Sequence, residues 1–251
     1  MNAGKPASAR FLVSVRSPGE ALIALSGGAD IIDVKEPRGG ALGAVDLAET
    51  SAILRGVAGK RPVSATIGDY AMDDAPPRVL ETAQTGVDYV KIGLFGEASV
   101  AAMQALERCA ASGIRMIAVM FADRAPEWQR IRILAETGFA GIMLDTADKG
   151  QGSLRAHLTP RDLAQFLSEA RAHGLLAGLA GSLSAADAQA LLPLRPDVLG
   201  FRGALCGGGL RGETLDGARV RRMRALIPQA DGMNTDGMNI AAAHAVMAEE
   251  G

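Results

Sequence analysis

From Phe11 to Ile227 the chain repeats one pattern eight times: a short apolar run, then a longer stretch with helical punctuation, each unit about 25–30 residues long. The predicted strands are Phe11–Val15, Asp30–Lys35, Pro62–Ile67, Asp88–Ile92, Arg115–Phe121, Ala140–Leu144, Leu175–Leu179 and Asp197–Phe201. Between them lie predicted helices. The first starts after Ser17-Pro18 and ends at Gly27-Gly28, with Ser17 as N-cap and proline in the first turn. The others lie near 46–57, 77–85, 99–112, 127–137, from 159–160 to before Gly174, 184–192 and 216–227. Short buried strands alternating with helices require a parallel sheet with crossover connections. Eight units exceed the usual strand count of an open doubly wound sheet, so the expected fold is an α/β TIM (β/α)8 barrel. The barrel is expected over residues 11–228, after a polar extension, 1–10, and before a tail or extra helix, 229–251.

A barrel of this kind carries its chemistry at the carboxyl ends of its strands. The second strand runs Asp30-Ile31-Ile32-Asp33-Val34-Lys35 and is stopped by Pro37. Strand alternation puts Ile31, Asp33 and Lys35 on one face and Ile32 and Val34 on the other. A carboxylate and an amine at buried positions cost desolvation energy unless they are paired or working.

Composition sharpens this. Of 26 basic residues only five are lysines: Lys5, Lys35, Lys60, Lys91 and Lys149. The chain uses arginine for ordinary surface charge, and a lysine amine can be neutralised where a guanidinium cannot. Lys35 ends the second strand, Lys91 lies near the end of the fourth, and Lys149 follows the sixth. Neighbouring ammonium groups disfavour one another's protonation, and burial lowers an amine's pKa further. One of these lysines can then add to a carbonyl and form a Schiff base, while a second takes the proton that the iminium makes removable. Asp33 and Asp145 are suited to orient the amines or relay protons, or simply to compensate their charge.

Two loops suit a phosphate. Gly181 and Ser182 follow the seventh strand and lead into a helix; Arg202, Gly203 and Ala204 follow the eighth. Glycines let backbone N–H groups approach an anion, a helix N-terminus adds its dipole, and Arg202 is placed to reach a phosphate. Gly39-Gly40 and Gly43, after the second strand, read as a lid or a second anion site.

The net charge of -2 argues against nucleic acid or an anionic membrane as partner. No apolar run approaches the roughly 20 residues of a membrane span, and Met1–Arg10 lacks the apolar core of a signal peptide, so a cytoplasmic location is expected. Cys109 and Cys206 fit a reduced compartment, and no metal-ligand spacing is present. The expected partners are a small phosphorylated substrate and further copies of the chain, with no cofactor and no metal.

Several stretches, in one order, resemble the (5-formylfuran-3-yl)methyl phosphate synthases, also called 4-(hydroxymethyl)-2-furancarboxaldehyde-phosphate (4-HFC-P) synthases. They are 27–37 with 40–44, 62–69, 89–94, 144–147 with Lys149, 180–183 and 202–204. The resemblance runs from about Phe11 to Ile227. It implies a TIM barrel that condenses two glyceraldehyde 3-phosphates into a phosphorylated furan aldehyde, losing phosphate and water, in methanofuran biosynthesis. It implies Lys35 as the Schiff-base lysine, Lys91 as a proton acceptor, and Asp33, Asp145 and Lys149 as further active-site residues. The residues alone reach only a Schiff-base enzyme acting on a phosphorylated carbonyl compound. Another lysine aldolase, a sugar-phosphate isomerase and a non-catalytic phosphometabolite-binding barrel are the competing readings.

Overall fold

In the computed structural model, residues 8–228 are described; the first seven residues and the expected tail from 229 lie outside them. The strands are β1 (Arg10–Val15), β2 (Ile31–Val34), β3 (Val63–Thr66), β4 (Tyr89–Gly93), β5 (Met116–Phe121), β6 (Gly141–Asp145), β7 (Leu176–Leu179) and β8 (Val198–Phe201). Each pairs in parallel with the next, and β8 pairs with β1, closing the barrel. The helices are α1 (Pro18–Ser26), α2 (Leu47–Val57), α3 (Ala75–Ala83), α4 (Val100–Ala111), α5 (Arg130–Glu136), α6 (Leu154–His157), α7 (Pro160–Ala172), α8 (Ala185–Leu191) and α9 (Gly217–Leu226). Among the described residues no helix is long and apolar enough to cross a membrane.

Local chemistry sets these boundaries. Ser17, Asp46, Ser99, Thr159, Ser184 and Asp216 each cap a helix by accepting from a first-turn N–H. The expected elements are present, with three differences. Helix α3 starts at Ala75, two residues early, because Pro76 and Pro77 both fit the first turn, where the missing N–H is not needed. Helix α5 starts only at Arg130, since Ala125 sits in the left-handed region (φ 44) and Glu127–Arg130 forms a turn first. The one-turn helix α6 lies in what reads as loop.

Two apolar shells result. Outward-facing strand residues such as Ile32, Val34, Ile92 and Ile142 pack under the helices. Inward-facing Leu12, Ile31, Tyr89, Ile117, Met143 and Val198 fill the lower barrel. The β7 and β8 side of the interior is built from small residues. A Cβ at Gly178 would meet Met143 Cγ at 2.7 Å, and one at Gly200 would meet Ala180 Cβ at 3.2 Å. Gly200 lines the cavity at the carboxyl ends of the strands.

Candidate active site

The parallel register assembles the site's first half. Asp33 on β2 stands beside Ser14 on β1 and beside Ser64 on β3, all three pointing inward. Its carboxylate accepts from Ser14 Oγ (2.8 Å), Ser64 Oγ (2.6 Å) and Lys91 Nζ (3.0 Å). Asp33, Lys91 and both serines are buried. A buried carboxylate needs such donors, since an unpaired one carries several kcal/mol of desolvation cost.

The second half is built around Asp145, the last residue of β6. Asp145 Oδ2 accepts from Lys35 Nζ (3.2 Å); Oδ1 accepts from Thr146 N (2.8 Å) and from Lys149 Nζ. Burial alone would raise the Asp145 pKa. Lys35, Lys149 and Lys91 outweigh it and hold the group well below the usual carboxylate range. Asp145 is therefore ionised at neutral pH. Lys149 also donates to the carbonyl and the hydroxyl of Thr146, which occupies all three of its N–H bonds. Among the described residues Lys35 has a single partner. Its burial, countered by Asp145 and reinforced by Lys149 and Lys91, lowers its pKa from 10.5 to about 8. At pH 7 roughly a tenth of such amines are neutral. Lys35, Lys91, Lys149, Asp33 and Asp145 thus line one cavity of about 460 Å³.

The loops after β7 and β8 line the same cavity, which places Gly181, Ser182, Arg202, Gly203 and Ala204 around it. Gly181 (φ +104) has no room for a side chain: a Cβ would lie 3.0 Å from Thr146 N. The amides of Ser182, Leu183, Gly203 and Ala204 donate to no acceptor among the described residues.

Two expectations change. Arg202 has no donor left for a phosphate. Its Nε donates to Arg211 O (2.9 Å), Nη1 to Ser14 O and Glu20 Oε2 (2.7 Å), and Nη2 to Glu20 Oε1 (3.1 Å) and Glu213 O. All five N–H groups are used, so Arg202 ties the β8–α9 loop to the start of α1. Nor is the N-terminus of α8 free for an anion. Ser184 and Asp187 cap each other there, and the Asp187 carboxylate occupies the end of the helix.

Asp69, in the matching stretch 62–69, shapes the mouth, as do Asp123 and Arg211, which the sequence did not single out. Asp69 accepts from Ala41 N (2.7 Å) and Leu42 N (2.6 Å). This internal anion occupies the glycine loop after β2, so those amides hold the loop rather than bind a ligand. Asp123 does the same for the Lys149 loop, accepting from Ala147 N (2.8 Å) and Asp148 N (2.7 Å). Arg211 lines the cavity, half-buried.

Fold and site together define a TIM-barrel protein with a lysine- and aspartate-lined pocket at the carboxyl ends of its strands. Over residues 11–224 the sequence matches the family described as 4-HFC-P synthase. The chain belongs to that family. A (5-formylfuran-3-yl)methyl phosphate synthase of Methanosarcina acetivorans is 35% identical over 223 residues, covering 80% of this chain and 92% of that protein. A Methylorubrum extorquens protein, for which the same name is provisional, is 43% identical over 226 residues, covering 88% and 94%. The structure of 3-hexulose-6-phosphate synthase from Salmonella typhimurium superposes with a TM-score of 0.63 at 20% identity, covering 85% of this chain and 97% of that one; it shares the fold.

Proposed function

We propose that this protein condenses two molecules of glyceraldehyde 3-phosphate to (5-formylfuran-3-yl)methyl phosphate through a Schiff base on Lys35, in a methanofuran-type cofactor pathway. The atoms balance: two triose phosphates less one phosphoric acid and two waters give the furan product. The observation that carries the reading is the Lys35 amine, buried, bonded once, and lowered in pKa to about 8. Its lone pair adds to the aldehyde carbon, and water leaves as the iminium forms. The iminium draws electrons from the neighbouring carbon, whose proton passes to a base. Lys91 in its neutral form is suited to that role, because Asp33, its one hydrogen-bond partner among the described residues, keeps it oriented. The electron pair released from that C–H bond then expels the phosphate from the next carbon. Lys149, its three donors taken by Asp145 and Thr146, depresses the pKa of Lys35. The open amides of Ser182, Leu183, Gly203 and Ala204 supply a neutral cradle for a phosphate.

The family membership supports the product; the charge arrangement supports the route. Incubation of the protein with glyceraldehyde 3-phosphate should release inorganic phosphate and yield a product with the mass of the furan aldehyde phosphate. Lys35→Ala should abolish both. Interconversion of triose phosphates by the wild type without phosphate release would overturn the reading in favour of an isomerase.

A further inference from the structure

We propose that Arg211 is the anchor of a second phosphate subsite, so that one cavity holds two phosphorylated substrates: one on the amides of the β7 and β8 loops, the other on the Arg211 guanidinium. The inference rests on the preceding reading, in which two triose phosphates meet at one mouth.

Arg211 combines a fixed backbone with a loosely held head. Its carbonyl accepts from Arg202 Nε, and Arg202 is itself locked by two bonds to buried Glu20. Its guanidinium makes one long hydrogen bond, Nη2 to Gly40 O at 3.4 Å, and no ion pair within 4.0 Å among the described residues. Such a bond is at the weak limit of hydrogen-bond geometry. A phosphate oxygen offers a shorter, charge-assisted and bidentate replacement. Burial already works against the charge of this arginine and lowers its pKa; Arg202 adds repulsion, while Asp145, Asp69 and Glu36 oppose from a distance. An anion in direct contact relieves that strain on the charge.

The location fits a substrate phosphate. Arg211 and Lys35 line the same cavity. Arg211 reaches from the β8–α9 loop to Gly40 on the β2–α2 loop, and Arg38 reaches back to Gly212 O at 3.4 Å. The two loops therefore meet over the mouth with one arginine crossing in each direction. With Arg202 neutralised by Glu20, the lining carries Lys35, Lys91, Lys149 and Arg211 against Asp33 and Asp145 alone. Basic side chains thus outnumber acidic ones in the lining, which suits phosphorylated substrates.

Calorimetric titration of the full-length protein with inorganic phosphate tests this. The wild type should bind two phosphates per chain. Arg211→Met should bind one, and Arg211→Lys should keep two with the weaker affinity reduced about tenfold or more, as expected for loss of a bidentate contact. Retention of both sites by Arg211→Met, or a single site in the wild type, would overturn the subsite. Borohydride trapping of glyceraldehyde 3-phosphate on the same wild-type sample separates the two claims. Two phosphates without trapping would sink the Schiff-base reading and leave the subsite standing. Trapping with unchanged phosphate binding in Arg211→Met would sink the subsite alone.

Discussion

Three lysines at the mouth divide the chemistry by how many partners each one has. Among the described residues Lys149 has three, Lys91 and Lys35 one each, and the pKa of Lys35 is lowered to about 8. Lys149 lowers the Lys35 pKa directly and also shares the Asp145 carboxylate that raises it. Lys149→Met removes both effects with the same sign, so the pH profile of Schiff-base formation should move above its midpoint near 8; an unmoved profile would contradict the coupling. Stability follows the same group. Folded Lys35 releases its proton near pH 8, and an unfolded lysine near 10.5. Below pH 8 the folded state bears the whole cost of a buried charge, and that cost fades as pH rises to 10.5. The stability difference between Lys35→Met and the wild type should therefore shift by on the order of 3 kcal/mol in favour of the wild type between pH 7 and pH 10.5, read from urea midpoints. A difference that stays constant between pH 7 and pH 10.5 would contradict a lowered Lys35 pKa. The lysines were legible in the sequence because arginine carries the background charge, and Asp33 because strand alternation turned it inward. The loss of Arg202 as a phosphate ligand was not legible: its partner Glu20 lies 182 residues away, and only the closed barrel brings them together.

At the scale of elements, aspartates on neighbouring loops hold the loops that carry the chemistry. Asp69 pins the glycine loop after β2, and Asp123 pins the loop that presents Lys149. Each takes two backbone N–H groups, and one such charged bond is worth roughly 1.5 kcal/mol, which corresponds to about tenfold in rate. Asp123→Ala should lower turnover about tenfold or more while hydrogen exchange at the amides of Ala147 and Asp148 speeds up. Unchanged exchange would show that the loop holds its shape without Asp123. The strands and long helices were readable from period and caps. The short helix α6 was not, because four residues are too few to show a helical period. The α8 terminus read as an anion site because glycines precede a helix start, whereas the pairing of Ser184 with Asp187 depends on both residues' rotamers.

For the whole molecule, the closing seam between β8 and β1 is also where the site is braced. Arg202 and Glu20 join the β8–α9 loop to α1 across that seam, with side chains 8% and 2% exposed. Glu20→Ala leaves a buried guanidinium unpaired and should cost about 3–5 kcal/mol in urea unfolding. Adding Arg202→Met should recover part of that loss, since the pair then disappears together. Strictly additive losses would mean that the two residues act independently.

The central claim is that Lys35 is the amine that meets the substrate. Its most direct test is intact mass, with peptide mapping, after incubation with glyceraldehyde 3-phosphate and borohydride. A triose-phosphate-sized adduct on Lys35, absent from Lys35→Ala, is the expected result. An adduct mapped to Lys91 or Lys149, or none on the wild type while phosphate still binds, would contradict it.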